Sequence, residues 1–222
     1  MDPDPYGDDL FDEPAGSPDT LAHLGPLAPL AGRWRSGPAS GGDSHPVADG
    51  AEPATYGETV DLRPIDRQTN GPQLFYGLRY HVRVVETGGV ETFHDQVGYW
   101  LWEPAQHRIL LSLAIPRGQV ALCGGQARPD AREFTVRATA GDPHFGILSN
   151  PFLDAGFHTV SFEMTVMIHD DNTWSYRQDA LLQVADRAEP FHHRDANTLQ
   201  RIGPPVANPL AEDRDCRSTV DR

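Results

Sequence analysis

The chain carries ten histidines, two cysteines and no lysine, and these counts bound the chemistry open to it. Without lysine there is no Schiff-base nucleophile. The densest group of reactive side chains is Phe191-His192-His193-Arg194-Asp195. A neutral imidazole is the commonest protein metal ligand, and it needs a second hydrogen bond to fix its tautomer, here donated to Asp195 or a backbone carbonyl. Neighbouring residues on a strand point to opposite faces, so His192 and His193 do not share one ion, and a structural zinc site is not expected. His94 and Asp95 diverge in the same way. No serine or cysteine sits in the sharp strand-to-helix context of a hydrolase nucleophile. His81, His107, His144, His158 and His169 have no partner spacing and read as polar strand-end or surface residues. Cys123 and Cys216 do not make a disulfide scaffold, which fits a reducing compartment.

The elements that position these residues are strands. In His158–Asp170 the side chains of Val160, Phe162, Met164, Val166 and Ile168 fall on one face and alternate with Thr159, Ser161, Glu163, Thr165 and Met167 on the other. A period of two marks a half-buried strand, whereas a helix would scatter those apolar residues around its circumference. The turn at Asp170–Asn172 joins it to Thr173–Val184 as a hairpin. Similar alternation predicts strands at Thr55–Pro64, Gln73–Glu86, Thr92–Trp102, Arg108–Ile115, Gln119–Ala127, Glu133–Ala140 and Asn197–Ile202, with a first strand at Trp34. Ser36–Pro53, rich in Gly, Ser, Pro and Ala, reads as a long loop.

About ten short strands with no amphipathic helix between them leave exposed edges unless the sheet closes. The expected fold is therefore all-β, an antiparallel up-and-down barrel of about ten strands, with a two-sheet sandwich as the competing architecture. A barrel of about eight strands fills its interior with side chains, so one of about ten is expected to keep a central ligand cavity. Trp100, Trp102 and Trp174 are expected in its core or cavity wall.

Composition divides the 222 residues into three parts. Residues 1–20 carry seven acidic side chains and no basic one, and read as a disordered acidic tail. Residues 21–203 form the barrel domain. Residues 204–222, with Pro, Asp and Arg but no apolar period, read as a second disordered tail. The net charge of −14 disfavours nucleic acid and anionic membranes as partners. No apolar run approaches a membrane span and no basic–apolar leader is visible, so a cytoplasmic location is expected.

Four segments carry a resemblance: Gly32-Arg33-Trp34-Arg35-Ser36-Gly37; His94 to Trp100; Leu113 to Gly118; and Phe191 to Leu199. Together they resemble the nitrobindin family of heme-binding β-barrels, distantly similar to fatty-acid-binding proteins, over about Leu21 to Ile202. The family's pattern is G-x-W-x-G-x-G at the start, then H-x-x-x-G-Y-W, L-x-x-P-x-G and a histidine ahead of the last strand. The resemblance implies that His193 is the axial ligand to the iron of heme b, and that Gly32, Trp34 and Gly37 border the cofactor. It also implies nitric oxide binding and isomerisation of peroxynitrite to nitrate, with His193 as the catalytic group. Ser36 stands where the family has its second glycine, and Arg194-Asp195 where it has apolar residues. The alternative is a non-catalytic barrel that carries a small apolar ligand such as a fatty acid or pigment.

Overall fold

The computed structural model describes residues 6–7, 9–37, 41–47, 50–170 and 172–207. Thirteen strands follow one another: β1 (Gly32–Ser36), β2 (Gly41–Val47), β3 (Gly50–Pro64), β4 (Gln68–Asn70), β5 (Gln73–Glu86), β6 (Thr92–Glu103) and β7 (Arg108–Ile115). Then come β8 (Gln119–Gln126), β9 (Glu133–Thr139), β10 (Ile147–Ser149), β11 (Phe157–Asp170), β12 (Thr173–Val184) and β13 (Phe191–Gly203). Two short helices, α1 (Thr20–His23) and α2 (Pro151–Gly156), lie outside the sheet.

Every ladder is antiparallel, and the pairing of β3 with β5 closes the sheet into a barrel of ten strands. Closure satisfies the backbone donors and acceptors that an open sheet would leave at its edges. The expected hairpin forms, with Val166 opposite Tyr176 and Asp170 opposite Thr173. The Asn172 amide donates to the Asp170 carboxylate at 2.7 Å and fixes the turn.

Beside the short strands β4 and β10, which the alternation did not mark, two segments that build the site differ from the sequence expectation. Part of Ser36–Pro53 is strand, not loop: β2 pairs with β3 from Gly41↔Tyr56 to Val47↔Gly50, and with β13 at Arg194↔Ser44, Asp195↔Asp43 and Ala196↔Gly42. The last strand begins at Phe191 and not at Asn197. The cause is common to both. Their inward positions are Asp43 on one and His193, Asp195 and Asn197 on the other, so the apolar alternation that marks a strand is absent there.

One end of the barrel is packed solid. Leu24, Leu27 and Leu30, in and beside the 3-10 segment Gly25–Leu30, are fully buried. Gly25 has φ +54°, and a Cβ there would fall 2.5 Å from the Trp102 indole, so this close passage requires glycine. Trp34 donates its indole N–H to the Leu30 carbonyl at 2.8 Å, and the Arg201 guanidinium covers its ring at 4.1 Å. From the segment read as an acidic tail, Tyr6 donates to Glu103, the Ser17 amide to the Tyr76 hydroxyl at 3.0 Å, and the Thr20 hydroxyl to the Ile65 carbonyl at 2.7 Å. Cys123 is buried in the core, and burial pushes its thiol up to about 12; Cys216 lies outside the described residues.

Candidate functional site

Above the packed end the inward side chains no longer meet, and a cavity of about 470 Å³ remains. That volume lies within the roughly 300–1,000 Å³ typical of small-molecule sites. Most of its wall is apolar, with Val60, Val82 and Val84 on one side and Leu111, Leu113, Phe162 and Met164 on the other. Three stretches of wall are polar.

The first holds His193. Strand alternation sends His193 and Asp195 inward and His192 and Arg194 outward. His193 Nε2 lies 2.7 Å from Asp43 Oδ1; the His193 side chain is 37% exposed and the Asp43 side chain 6%. Outside the barrel, His192 Nδ1 is 2.8 Å from Asp179, which also accepts from Arg194 Nε at 3.1 Å. The charge of Arg194 is thus spent on the outer surface and does not reach the cavity. Asp195 does.

The second is a buried acid–phenol network on β3, β12 and β13. Asp195 accepts from the Tyr56 hydroxyl and from Gln178 Nε2 at 2.9 Å. Glu58 Oε2 accepts from the Tyr176 hydroxyl at 2.9 Å and from Asn197 Nδ2 at 2.8 Å. The Tyr176 oxygen also lies 3.2 Å from Asp195 and 3.0 Å from the Tyr56 oxygen. Burial raises the Glu58 carboxyl to about 7 against the pull of its Asn197 hydrogen bond, and Asp195 adds repulsion. Burial likewise raises Asp195 to about 6, with Asp43 beside it adding to the rise. Both phenols are raised well beyond the ordinary tyrosine range, first by burial and then by these carboxylates.

The third, on β5 and β6, is a relay in which His94 Nε2 lies 3.4 Å from Gln96, Gln96 donates to the Tyr80 hydroxyl at 2.7 Å, and Tyr80 donates to the Ser112 carbonyl at 3.2 Å. Burial lowers the His94 imidazole, and His193 is close enough to lower it further. A neutral imidazole therefore faces the cavity from this side.

Of the four site residues named from sequence, His193 lines the cavity, whereas Gly32, Trp34 and Gly37 are not among its lining residues. Trp34 belongs to the packed end. Gly32 has φ +129°, and a Cβ would fall 2.8 Å from the Gly203 carbonyl, so the glycine serves the crossing of β1 and β13. Gly37 is exposed and its carbonyl accepts from Ser36 at 3.2 Å. Ser36, at the position of the family's second glycine, is buried and accepts the Glu58 amide at 2.7 Å. Sequence reasoning missed Asp43, Tyr56, Glu58, Tyr176 and Gln178. One signal was present: Glu58 occupies an inward position between Tyr56 and Val60, where the alternation calls for an apolar residue.

The donor set fits an iron porphyrin in its chemistry. An imidazole stands in a mainly apolar wall, a second, neutral imidazole faces the same space, and the indole N–H of the lining residue Trp174 is buried without a hydrogen-bond partner among the described residues. Nε2 of His193 is held by Asp43, so this nitrogen meets a metal only where that contact opens.

The architecture is shared with a solved protein. The crystal structure of Rv2717c from M. tuberculosis superposes with a TM-score of 0.56 at 19% sequence identity, over 84% of this chain and 99% of that one. No curated protein matches by sequence. The model of the THAP4-like, heme-binding β-barrel domain matches residues 23–201. That match spans the whole barrel with its cavity, from the end-closing leucines to Arg201 on the last strand, and the chain belongs to this family, the nitrobindins.

Proposed function

We propose that the cavity holds heme b through His193 and that the bound iron takes nitric oxide and isomerises peroxynitrite. The observation that carries this reading is the inward imidazole of His193 in a cavity whose walls are otherwise mainly apolar. A bound iron porphyrin supplies a metal centre that coordinates small nitrogen oxides and rearranges them. The chain contributes the rest. His193 ligates, and Asp43, already within hydrogen-bond reach, is the carboxylate that sets how readily the imidazole is released. Val82, Leu111, Leu113 and Phe162 keep water from the centre of the cavity. His94, neutral through burial and turned to Gln96, offers a polar contact without a competing charge.

Hemin titrated into the purified protein gives a saturable Soret band, and His193→Ala abolishes or strongly shifts it. Identical spectra for both proteins remove His193 from the site.

One observation supports a second reading. The His193–Asp43 pair completes the wall without any metal, as expected of a non-catalytic barrel that carries an apolar organic ligand. Organic extraction of native protein followed by mass spectrometry separates the two: a recovered apolar molecule with no iron chromophore favours the carrier.

A further inference from the structure

The carrier reading leaves the chemistry of the cargo open, and the acid–phenol network restricts it. Asp43 and Asp195 are direct cross-strand neighbours in the β2–β13 ladder, an arrangement that is unfavourable for like charges. Glu58 joins them through Tyr176, whose single hydroxyl lies within hydrogen-bond distance of both Glu58 and Asp195.

Four oxygen–oxygen contacts (Tyr56–Asp195, Tyr56–Tyr176, Tyr176–Glu58 and Tyr176–Asp195) run through the two tyrosine hydroxyls, and the other side-chain donors to Glu58 and Asp195, Asn197 and Gln178, are neutral amides. Glu58 is 3% exposed and lines the cavity, and both its side-chain hydrogen bonds fall on Oε2, so Oε1 makes none. That oxygen is an acceptor on the cavity wall left without a donor among the described residues.

Positive charge is scarce around it. Among the cavity-lining residues Arg117 is the single arginine, and it stands at the exposed rim, donating to the Phe93 carbonyl at 2.9 Å with its guanidinium over the Phe93 ring. In a wall of low dielectric, buried carboxylates repel an anionic head group and attract a cationic one.

We propose that the wall formed by Glu58, Tyr176 and Asp195 receives the protonated amine of an amphiphile whose hydrocarbon body fills the apolar remainder of the cavity. This rests on the carrier reading, and it makes an alkyl amine, not a fatty acid, the class of cargo. The ammonium donates to Glu58 Oε1 and sets its positive charge against the carboxylates, while the chain lies against Leu113, Phe162 and Met164.

The test is displacement of a neutral fluorescent apolar probe, N-phenyl-1-naphthylamine, by dodecylamine, dodecanol and dodecanoate near neutral pH, each below the concentration at which it aggregates. Dodecylamine is expected to displace the probe at a concentration at least about ten-fold lower than dodecanoate, with dodecanol between them. Glu58→Gln keeps the shape of the side chain and narrows the amine-to-carboxylate ratio several-fold, each affinity being taken relative to that of dodecanol for the same protein. Dodecanoate binding as well as dodecylamine, or a ratio untouched by Glu58→Gln, overturns the proposal. If none of the three chains displaces a bound probe, or the probe itself does not bind, the carrier reading fails and the proposal falls with it. Equal displacement by all three keeps the carrier and removes only the charge preference.

Discussion

Asp43 Oδ1 and His193 Nε2 meet at 2.7 Å although the residues lie 150 positions apart in sequence. The contact exists because β2 lies against β13 in the ladder, setting Asp43 opposite Asp195 and one diagonal step from His193. Hydrogen bonds to charged groups contribute roughly 1.5–3 kcal/mol. Coordination of iron, where it takes the same nitrogen, would have to offset that loss. Asp43→Ala is therefore expected to tighten hemin binding by roughly ten-fold or more, read from the Soret titration. Weaker hemin binding in the variant would mean that the carboxylate supports the ligand and does not compete for it.

Glu58 gives stability a pH dependence of defined sign. Its carboxyl rises from 4.5 to about 7 on folding, chiefly through burial, so the folded state binds more protons than the unfolded state in that interval. Stability then falls as pH rises through the window, the penalty being absent below about pH 4.5 and complete above about pH 7, on the order of 3 kcal/mol. Asp195, raised to about 6, acts in the same direction over a lower window, and the two titrate as a coupled pair. Urea midpoints measured from pH 5 to 8 should fall for the native sequence and fall less for Glu58→Gln. A midpoint that climbs with pH would show that the network is stabilised by its charge.

The parts of this molecule legible in sequence are those where burial and alternation agree. β5 and β7 follow Gln73–Glu86 and Arg108–Ile115 without adjustment, because their inward residues are apolar and their turns carry breakers. β2 and the first half of β13 were illegible for one reason: Asp43, His193 and Asp195 face inward, line the cavity and break the pattern. His193 emerged through the resemblance and its neighbours did not, since the contacts of Tyr56 with Asp195 and of Tyr176 with Glu58 span 139 and 118 residues. Trp34 went the other way. Its motif suggested a cofactor contact, and the structure uses its bulk to fill the closed end.

That placement is testable. Trp34 is 1% exposed, donates to Leu30 and lies under Arg201. Trp34→Ala is expected to cost about 3–5 kcal/mol of stability. For the fraction that remains folded at low temperature, hemin affinity should match that of the native sequence within about two-fold, because the ring does not line the cavity. Thermal unfolding and Soret titration of the same preparation supply both numbers, and a hemin affinity that drops with stability intact would return Trp34 to the cofactor site.

Ser36 replaces a glycine of the family pattern, and its hydroxyl, buried beside β3, accepts the Glu58 amide at 2.7 Å. The same strand that carries the Glu58 carboxylate into the cavity is thereby anchored at the backbone of Glu58 itself. Removing the hydroxyl leaves a buried N–H without its acceptor, a loss of about 1–3 kcal/mol. Ser36→Ala should thus destabilise the barrel by that amount, and Ser36→Thr, which keeps the oxygen, by less. Amide hydrogen exchange at Glu58 is the decisive readout because it reports the bond itself. The exchange is expected to accelerate in Ser36→Ala and to stay slow in Ser36→Thr, whereas equal protection in all three proteins would show that the serine only fills space.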